Sequence, residues 1–563
     1  MFETLPRTFE AVQDWQWENY QPYSDDLLAR DLNAAVLDQF MRDYSDFEAL
    51  LYEHYVRLDV SMTRNTADEA LQQKHAAFME KVYPPAMSAL NALRKKLVDS
   101  GLQPADFAVA LRNWKVQIET FRDENMPLLA EENRLGTEYD KLIGAQMVEW
   151  EGEKITVTRL LPIQQNPDRQ VREKAWRLSI ERGMQDRNPI NEVWGKLLET
   201  RHQVGENADT DYRSWIWKQK ARFDYSPQDC EAFHRAVEQT VTPLLARLYA
   251  KRRQSLGVDT LRPWDIDVDP NNLPALKPFA NAQELVEKSS IVFHKIDPVF
   301  GGYFDFMREN DLLDLENRPN KAPGGYQAVF LIKRQPFIFM NTVGVQRDLE
   351  TLMHEGGHAF HQLEMAKLPY VSQSEVTQEF SEVASMAMEL LSTPYWTEFY
   401  SPKEAARARI KHLEGMLRIW ITVASGDAFQ HWIYTNLEDA KDPVKCDEKW
   451  RELRQRFNGG AVDWSGLDAE NAAQWHRILH FFKVPFYLIE YGLAQLGAVQ
   501  VWANSLENYP QAVADYRKAL ALGNTVPIPE LFAAAGAKFA FDVPTFQRAV
   551  DLIERTITEL EAV

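Results

Sequence analysis

The sequence predicts a large, mainly α-helical protein that contains two short β elements. Most of its 563 residues lie in segments whose apolar side chains recur every three or four positions, the period of a helix packed on one face. Residues 147–161 and 327–340 differ, because they are rich in β-branched and aromatic side chains. A chain of this length buries a large core and is expected to form at least two lobes. We therefore expect a helical N-terminal region, 1–200, that walls a deep cleft, and a second region, 201–563, that contains the functional motifs.

The first region is expected to be helical on both sides of a β-hairpin. Helical periodicity covers residues 27–95, with polar and proline-containing interruptions, and continues over 102–133. Residues 147–150 and 155–161 flank a glycine-containing turn and are interpreted as the two strands of the hairpin. Asp168 then has the position of an N-cap, because a short acidic side chain there can accept hydrogen bonds from the first turn of the next helix.

Composition excludes several classes of protein. The net charge of −20 argues against binding to nucleic acid or to an anionic membrane surface, both of which attract basic proteins. No apolar run approaches the roughly 20 residues that a membrane-spanning helix needs, and the N-terminus has no secretory signal pattern. The two cysteines, Cys230 and Cys446, are far apart, which argues against a disulfide framework and favours a reducing compartment. We expect a soluble cytoplasmic protein.

The most informative motif is HEGGH, which occupies residues 354–358. In a helix over 348–364, His354 and His358 project side by side from one face, because they are four residues apart. This spacing allows both imidazoles to bind one zinc ion at about 2.0–2.1 Å. Glu355 lies just to one side, close enough to act as a general base without being a ligand. The other face of this helix is apolar and consists of four residues: Leu349, Leu352, Phe360 and Leu363.

A fortuitous pair of solvated histidines is the alternative interpretation of this motif. Gly356 and Gly357 argue against it, because glycine within a helix costs about 1 kcal/mol relative to alanine. A helix that must let another backbone approach closely has a use for such residues. His361 lies one turn beyond His358, too far along the axis to share the same ion, so we expect it to pack or to support the site.

A zinc ion held by two histidines needs a third protein ligand and an open position if it is catalytic. The next predicted helix, 374–391, supplies carboxylates on one arc of its surface. The flanking residues are apolar, so the helix is expected to be largely buried, and buried carboxylates need partners. Four acidic residues share this arc: Glu375, Glu379, Glu382 and Glu389.

Two short strands precede the zinc helix. Residues 327–332 and 336–340 are joined by a turn, and Pro336 is typical of the start of an edge strand. The free backbone groups of an edge strand could pair with an extended peptide and lay it across the metal. The preceding polar segment, 309–325, is interpreted as an exposed loop.

These motifs together resemble the thimet oligopeptidase and oligoendopeptidase F family of zinc metallopeptidases, with oligoendopeptidase F the nearer branch. The similarity extends from HEGGH at 354–358 to a glutamate 24 residues after the second histidine and another seven residues later. It implies one zinc ion per chain, with Glu382 as the third ligand beside His354 and His358. It also implies supporting roles for Glu379 and Glu389. The fold implied is a large helical zincin with a small antiparallel β element beside the zinc helix.

The resemblance implies further functional residues on both sides of this core. In the later segment 480–492, His480 with Tyr487 or Tyr491 would hydrogen-bond the oxyanion that forms on the substrate carbonyl. These three residues fall on one helical face, but Pro485 interrupts the helix, so which tyrosine is the donor stays open. The substrate-binding residues implied are Gly324, Gly325, Tyr326 and Phe339.

The function implied is hydrolysis of internal bonds in short, unstructured peptides, with folded proteins excluded from the deep cleft. A helical zinc carboxypeptidase or dipeptidyl carboxypeptidase is an alternative, in which Arg334 or Lys333 would hold the terminal carboxylate of the peptide. A protein that binds zinc without chemistry is a third possibility, but it would have no need of Glu355. Neither nucleic acid nor a membrane is expected as a partner.

Overall fold

The structure is a computed structural model that describes residues 2–563. It is 71% helical with only small sheets, which confirms the predicted mainly α fold. The helices of the first half of the chain are α1 (Trp17–Ala29), α2 (Leu37–Arg64), α3 (Glu69–Lys81), α4 (Tyr83–Ser100), α5 (Ala108–Thr120), α6 (Asn125–Gly144), α7 (Arg169–Gln185), α8 (Arg187–Asn207), α9 (Tyr212–Gln219), α10 (Pro227–Leu256), α11 (Ala282–Ile296) and α12 (Pro298–Glu309). The later helices are α13 (Gln346–Met365), α14 (Gln378–Ser392), α15 (Pro402–Thr435), α16 (Leu437–Ala440), α17 (Pro443–Asn458), α18 (Asp468–Ala472), α19 (Leu479–Lys483), α20 (Leu488–Glu507), α21 (Tyr509–Leu522), α22 (Ile528–Ala534) and α23 (Val543–Leu560).

Two compact units are each assembled from three separate parts of the chain. One unit combines the chain through Glu119 with Leu276–Ala408 and Ala494–Phe539. Its N-terminal helices α1 to α5 enclose an aromatic core that includes Tyr44, Trp114 and Phe107. In the same unit α13 packs against α14 and α21, and α11 packs against α12.

The second unit contains Thr120–Ala275, Arg409–Leu493 and Ala540–Val563. Within it α10 packs against α17 and α23, and α6 packs against α8. The predicted division of the chain at residue 200 stays a prediction.

The N-terminal hairpin is confirmed, with strand β1 (Met147–Trp150) antiparallel to β2 (Glu153–Thr156). The second strand is shorter than predicted, because the chain turns into a 3₁₀ helix after Thr156. Asp168 caps α7 by accepting a hydrogen bond from the backbone N–H of Gln170, as its position predicts.

The sheet beside α13 has three strands in the order β3-β5-β4. This order corrects two predictions, that the strand beginning near Pro336 lies at an edge and that residues 309–325 form only a loop. Strand β5 (Gln335–Thr342), predicted at the edge, is central, with β4 (Tyr326–Phe330) antiparallel on one side and β3 (Leu313–Glu316) parallel on the other. Pro336 is tolerated there because β3 pairs only from Ile338 onward, so the absent N–H of Pro336 breaks no bond on that side. The edge strand next to the predicted zinc helix is therefore β4.

Strand β3 lies within the segment predicted to be an exposed loop. The polar sequence suggested an exposed loop, but Asp314 is only 6% exposed, because basic residues compensate its charge inside the protein. Arg64 and Lys321 lie 2.8 and 2.9 Å from its carboxylate oxygens, and Arg318 forms a further ion pair. A buried acid with several cations around it can pack as part of a sheet.

Within residues 2–563, no helix is both long enough and apolar enough to cross a membrane.

Candidate active site

The site is built on two helices, α13 and α14, that approach each other very closely at Gly357. A Cβ atom on this glycine would lie 2.5 Å from the carbonyl oxygen of Ala384 and 2.6 Å from the Cα of Ser385. Because both atoms belong to the backbone of α14, no side-chain rearrangement could make room. Gly356 faces a side chain instead, with Phe293 Cζ 2.8 Å from the position of its missing Cβ. The predicted reason for glycine, close approach of another backbone, applies to Gly357.

We expect Gly357→Ala to lower the free energy of unfolding by about 1–3 kcal/mol, because the added methyl group forces α14 away from α13. The same displacement should weaken metal binding, since the candidate ligands come from both helices. Thermal unfolding and metal content after dialysis measure the two effects. The matched control is Gly183→Ala in α7, where an added Cβ meets nothing within 4 Å. Equal stability of the two variants would contradict the steric explanation.

The beginning of α13 is fixed to the end of β5 by Asp348. One oxygen of this carboxylate, Oδ2, accepts hydrogen bonds from the backbone N–H groups of Val343, Gly344 and Val345 at 2.7, 2.8 and 3.1 Å. An acidic residue in the first turn also interacts favourably with the helix dipole. The strand and the histidine-bearing helix are therefore held in a fixed relation.

His354, His358 and Glu382 bring their side chains to one point. Nε2 of His354 lies 3.4 Å from Oε2 of Glu382, and Nε2 of His358 lies 3.8 Å from the same oxygen. All three candidate ligand atoms lie within 4.8 Å of one another. Ligands of a tetrahedral ion with bonds of about 2.0–2.1 Å are separated by about 3.4 Å. The three residues therefore fit a metal ion with little movement.

Glu389 orients the first of the two histidines. Its Oε1 lies 2.6 Å from Nδ1 of His354. A proton on Nδ1 is donated to this carboxylate, which leaves Nε2 as the nitrogen that points toward Glu382 and is able to bind a metal. Burial lowers the pKa of His354, but the hydrogen bond and charge of Glu389, with the charges of Glu382 and Glu355, outweigh burial and raise that pKa to about 9. These acids therefore favour positive charge at this point, which a metal cation would supply.

Glu355 and His358 are shifted by burial. Burial raises the pKa of Glu355 to about 7, and the charges of Glu382 and Glu389 add to the rise. Burial lowers the pKa of His358 well below its ordinary range, and His354 lowers it further, so His358 is a neutral imidazole. A neutral imidazole is the form that binds a metal, and a carboxylate with a pKa near 7 can both accept and return a proton at neutral pH.

A cavity of ≈ 390 Å³ opens beside these residues. Its lining includes His354, Glu355, Glu389, Arg347 and the backbone of Gly324 and Gly325. The glycine pair lies just before β4, and Met340 and Asn341 of β5 also line the cavity, so it is bounded by this end of the sheet on one side and by α13 on another. A small polar or peptide group can therefore enter next to the candidate metal ligands and the candidate base.

Tyr326 and Phe339, the other predicted substrate residues, have different surroundings. Their rings stack with centroids 4.8 Å apart, and the hydroxyl of Tyr326 lies 2.5 Å from Oγ1 of Thr63. The side chain of Phe339 is fully buried and packs behind Tyr326, and its role in substrate binding stays a prediction. A role for the half-buried Tyr326 in substrate binding stays a prediction.

His480, Tyr487 and Tyr491 form one aromatic cluster in the second unit. The ring centroids are 5.8 Å apart for His480 and Tyr487, 6.0 Å for His480 and Tyr491, and 4.9 Å for the two tyrosines. The interruption predicted at Pro485 is present, since α19 ends at Lys483 and α20 begins at Leu488, and the three residues therefore do not share one continuous helical face. Burial, with a contribution from Lys220, lowers the pKa of His480 to about 4, so this imidazole is neutral at pH 7.

The break between α19 and α20 is held in a strained conformation. Phe486 has φ of +61°, which is unfavourable for a bulky L-residue. Its N–H donates to Oε1 of Gln430 at 3.1 Å, and its carbonyl oxygen accepts from the guanidinium of Arg222. The surrounding side chains therefore impose the turn that brings Tyr487 and Tyr491 next to His480.

The model of peptidase family M3 matches residues 163–550, which is more than half of the chain. The chain belongs to peptidase family M3.

Similar proteins extend this result. Oligopeptidase PepF of Bacillus subtilis is 23% identical over 57% of this chain and 47% of its own length. An oligoendopeptidase F homolog of Lactococcus lactis is 23% identical over 66% of this chain and 61% of its own length. The chain thus spans about half to three fifths of the length of these relatives. A solved structure of PZ peptidase A with an inhibitor has 25% identity and a TM-score of 0.88, covering 100% of this chain and 99% of that one. A solved structure of a putative oligoendopeptidase F has 25% identity and a TM-score of 0.86.

Two serines of this M3 family member contact the candidate ligands and were not singled out from the sequence. Ser385 Oγ donates to Oε2 of Glu382 at 3.0 Å. Ser381 Oγ lies 3.4 Å from Nδ1 of His358. Ser385 lies three residues after Glu382 and so on the same face of α14, which is the signal that could have found it, whereas Ser381 lies one residue before Glu382 and had no such signal.

The remaining predicted residues of the M3 site have separate environments. Glu379 is buried in the first turn of α14, and its supporting role stays a prediction. Glu375 precedes α14, so the predicted acidic arc contains three residues of that helix and not four. His361 is 1% exposed with its ring near Phe380, which agrees with packing.

Arg334, one of the two basic residues named for the carboxypeptidase alternative beside Lys333, already forms hydrogen bonds elsewhere. Its guanidinium donates to the carbonyl oxygens of Ala366 at 3.2 Å and Pro369 at 3.3 Å, and also to that of Leu368. These bonds hold the segment that follows α13. The carboxypeptidase alternative is not favoured.

Proposed function

We propose that this chain is a zinc-dependent oligopeptidase that hydrolyses internal bonds of short, unstructured peptides. The observation that carries the proposal is the convergence of His354, His358 and Glu382 within 4.8 Å, with Glu355 beside them at the edge of one cavity. Family membership and the names of the relatives, oligopeptidase and oligoendopeptidase F, support the same activity.

Zinc is the proposed metal because two imidazoles and one carboxylate are a donor set typical of catalytic zinc in peptidases. Bound there, zinc would supply Lewis acidity toward a peptide carbonyl and would make a water molecule more acidic. His354, His358 and Glu382 would be the ligands. Glu389 keeps His354 in the binding tautomer through its 2.6 Å contact with Nδ1.

Glu355 is the proposed general base and then the general acid. It accepts a proton as water attacks the scissile carbonyl carbon, and the tetrahedral intermediate forms with negative charge on the carbonyl oxygen. It then donates this proton to the leaving nitrogen as the C–N bond breaks. Its pKa of about 7, set by burial, suits both transfers at neutral pH.

The proposed substrate lies extended along β4. This strand forms one edge of the sheet and continues from Gly324 and Gly325, which line the cavity. Backbone hydrogen bonds along such an edge bind a peptide with little dependence on its sequence, as a general oligopeptidase requires. We also propose a cytoplasmic location, which the two buried cysteines, Cys230 and Cys446, support.

The test of the proposed function uses a peptide blocked at both termini and internally quenched. An oligoendopeptidase cleaves this peptide at an internal bond, and mass spectrometry of the products identifies that bond. Cleavage should stop when a chelator removes the metal and return when zinc is added. Products that arise only from peptides with a free C-terminal carboxylate would instead show an exopeptidase.

We expect the enzyme to distinguish substrates by their folded state. A short peptide can lie extended on β4, whereas a folded domain cannot release a strand without unfolding. The measurement is the rate of cleavage of one small disulfide-containing protein in its native form and after it is unfolded by reduction and alkylation. A short peptide from the same sequence serves as the reference substrate. Rapid cleavage of the native domain would contradict the proposal.

We propose that His480 and Tyr487 or Tyr491 donate hydrogen bonds to the oxyanion, as the family resemblance implies. Removing one such donor typically lowers kcat by about 10²–10³. Because the charge appears only in the tetrahedral state, kcat should fall more than KM rises. At least one of Tyr487→Phe and Tyr491→Phe should show this loss with its metal retained. If both run near the parental kcat, the cluster is packing and the donors lie elsewhere.

A further inference from the structure

Two helices of the second unit each present a pair of metal-binding side chains four residues apart. Cys230 and His234 lie on α10, and Asp427 and His431 lie on α15. Residues at this spacing project from the same face of a helix. Facing helices that contribute such pairs are a common way of building a metal site within a helical bundle.

The four side chains converge. One ligand atom each from Cys230, Asp427 and His431 lies within 4.8 Å of the other two. Nε2 of His431 is 3.3 Å from Oδ2 of Asp427, close to the separation of about 3.4 Å between neighbouring ligands of tetrahedral zinc. Nε2 of His234 is 2.8 Å from the same carboxylate oxygen, which is a hydrogen-bond distance.

The cluster is enclosed by the protein. Cys230 and Asp427 are 0% exposed, His234 is 4% and His431 is 9% exposed. Aromatic rings surround them, with Trp217 and Phe486 at 5.8 and 5.2 Å from the His431 ring. A polar cluster in such an apolar setting is costly unless its charges and hydrogen bonds are satisfied.

Two polar atoms of the cluster lack a hydrogen-bond partner. Within residues 2–563, Oδ1 of Asp427 and Nε2 of His431 are both buried and form no hydrogen bond. A buried carboxylate with a vacant oxygen points to a cation as the absent partner.

We propose that Cys230, Asp427 and His431 bind a second divalent metal ion, zinc or a transition metal with similar ligand preferences. His234 is a positioning residue that holds the Asp427 carboxylate through its hydrogen bond. The thiol of Cys230 releases its proton to solvent on binding, so thiolate and carboxylate together balance the charge of the ion. The ion joins α10 to α15 and stabilises the second unit. It shares no ligand with the His354, His358 and Glu382 set and goes beyond the proposed peptidase activity.

Cobalt substitution of the full-length protein distinguishes the two sites, because the peptidase set contains no cysteine. We expect two equivalents of Co²⁺ per chain and a near-ultraviolet charge-transfer band from a cobalt–thiolate bond. His358→Ala should reduce the peptidase-site metal and leave this band unchanged. One equivalent of cobalt with no thiolate band in the parent protein would overturn the proposal, and that measurement needs no variant.

Variants then identify the thiolate. Cys230→Ser should abolish the band, whereas the matched control Cys446→Ser, which changes another fully buried cysteine, should keep it. If Cys230→Ser does not fold, Asp427→Asn replaces it, and should reduce metal content in the His358→Ala background toward zero. Loss of the band in Cys446→Ser instead of Cys230→Ser, or full metal content in Asp427→Asn, would contradict the assignment.

Discussion

Glu355→Gln should lower kcat by at least about 10²–10⁴, the usual contribution of a general acid–base, while the variant keeps its metal and its fold. Glutamine has nearly the same shape but cannot accept a proton from water. Glu355 is only 8% exposed and lies on the wall of the cavity beside His354, so another base would have little room to replace it. Because Glu355 is not one of the three converging ligands, metal content should be unchanged.

The measurement is steady-state kinetics on the quenched peptide, with metal content determined on the same samples. Glu350→Gln is the matched control, since Glu350 lines the same cavity and precedes Glu355 in α13. It should retain near-parental kcat. A Glu355→Gln enzyme that turns over at nearly the parental rate, or one that has lost its metal, would show that this residue is not the base.

The histidine helix and the acidic helix were predictable because their chemistry is local. His354 and His358 share a face through helical spacing alone, and α13 and α14 form where the periodicity places them. Gly357 was informative for the same reason, since its helical context made glycine costly without a close neighbour. The identity of that neighbour, the backbone of α14, needed the structure.

The sheet order was not predictable, because it depends on residues distant in sequence. Strand β3 contains the buried Asp314, whose charge is compensated by Arg64, 250 residues earlier in the chain. A single sequence does not show such a pairing, so the segment had the pattern of a loop. The position of Pro336 was similarly ambiguous, because it depends on where β3 begins to pair.

The second metal cluster had a weak sequence signal that went unused. Cys230 with His234, and Asp427 with His431, each have the spacing of ligands on one helix. Almost two hundred residues separate the pairs, and only the packing of the second unit brings them together. The break beside Phe486 was indicated by Pro485, but the side chains that hold it were not predictable, since Gln430 and Arg222 come from other elements.

Glu382→Ala should lose most of the bound zinc and, with it, the activity. Oε2 of Glu382 faces both histidines, at 3.4 and 3.8 Å, so its removal leaves two imidazole ligands and no carboxylate ligand at the point where the ligands meet. Glu389 contacts the ligand His354 and is not itself one of the three converging ligands, and changing a partner of a ligand typically weakens metal binding by about 10–100-fold. We therefore expect zinc retention to increase in the order Glu382→Ala, Glu389→Ala and then Glu379→Ala.

Metal content after dialysis against a weak chelator gives this order, and circular dichroism confirms that each variant is folded. Glu379→Ala is the matched control, because Glu379 is also a buried acid of α14, one turn before Glu382. The third metal ligand is then the residue whose alanine variant has lost its zinc while its helical content equals that of the parent protein. Should Glu379→Ala lose its zinc while Glu382→Ala keeps it, the third ligand lies one turn earlier in α14, and the distances around Glu382 do not describe the metal-bound enzyme.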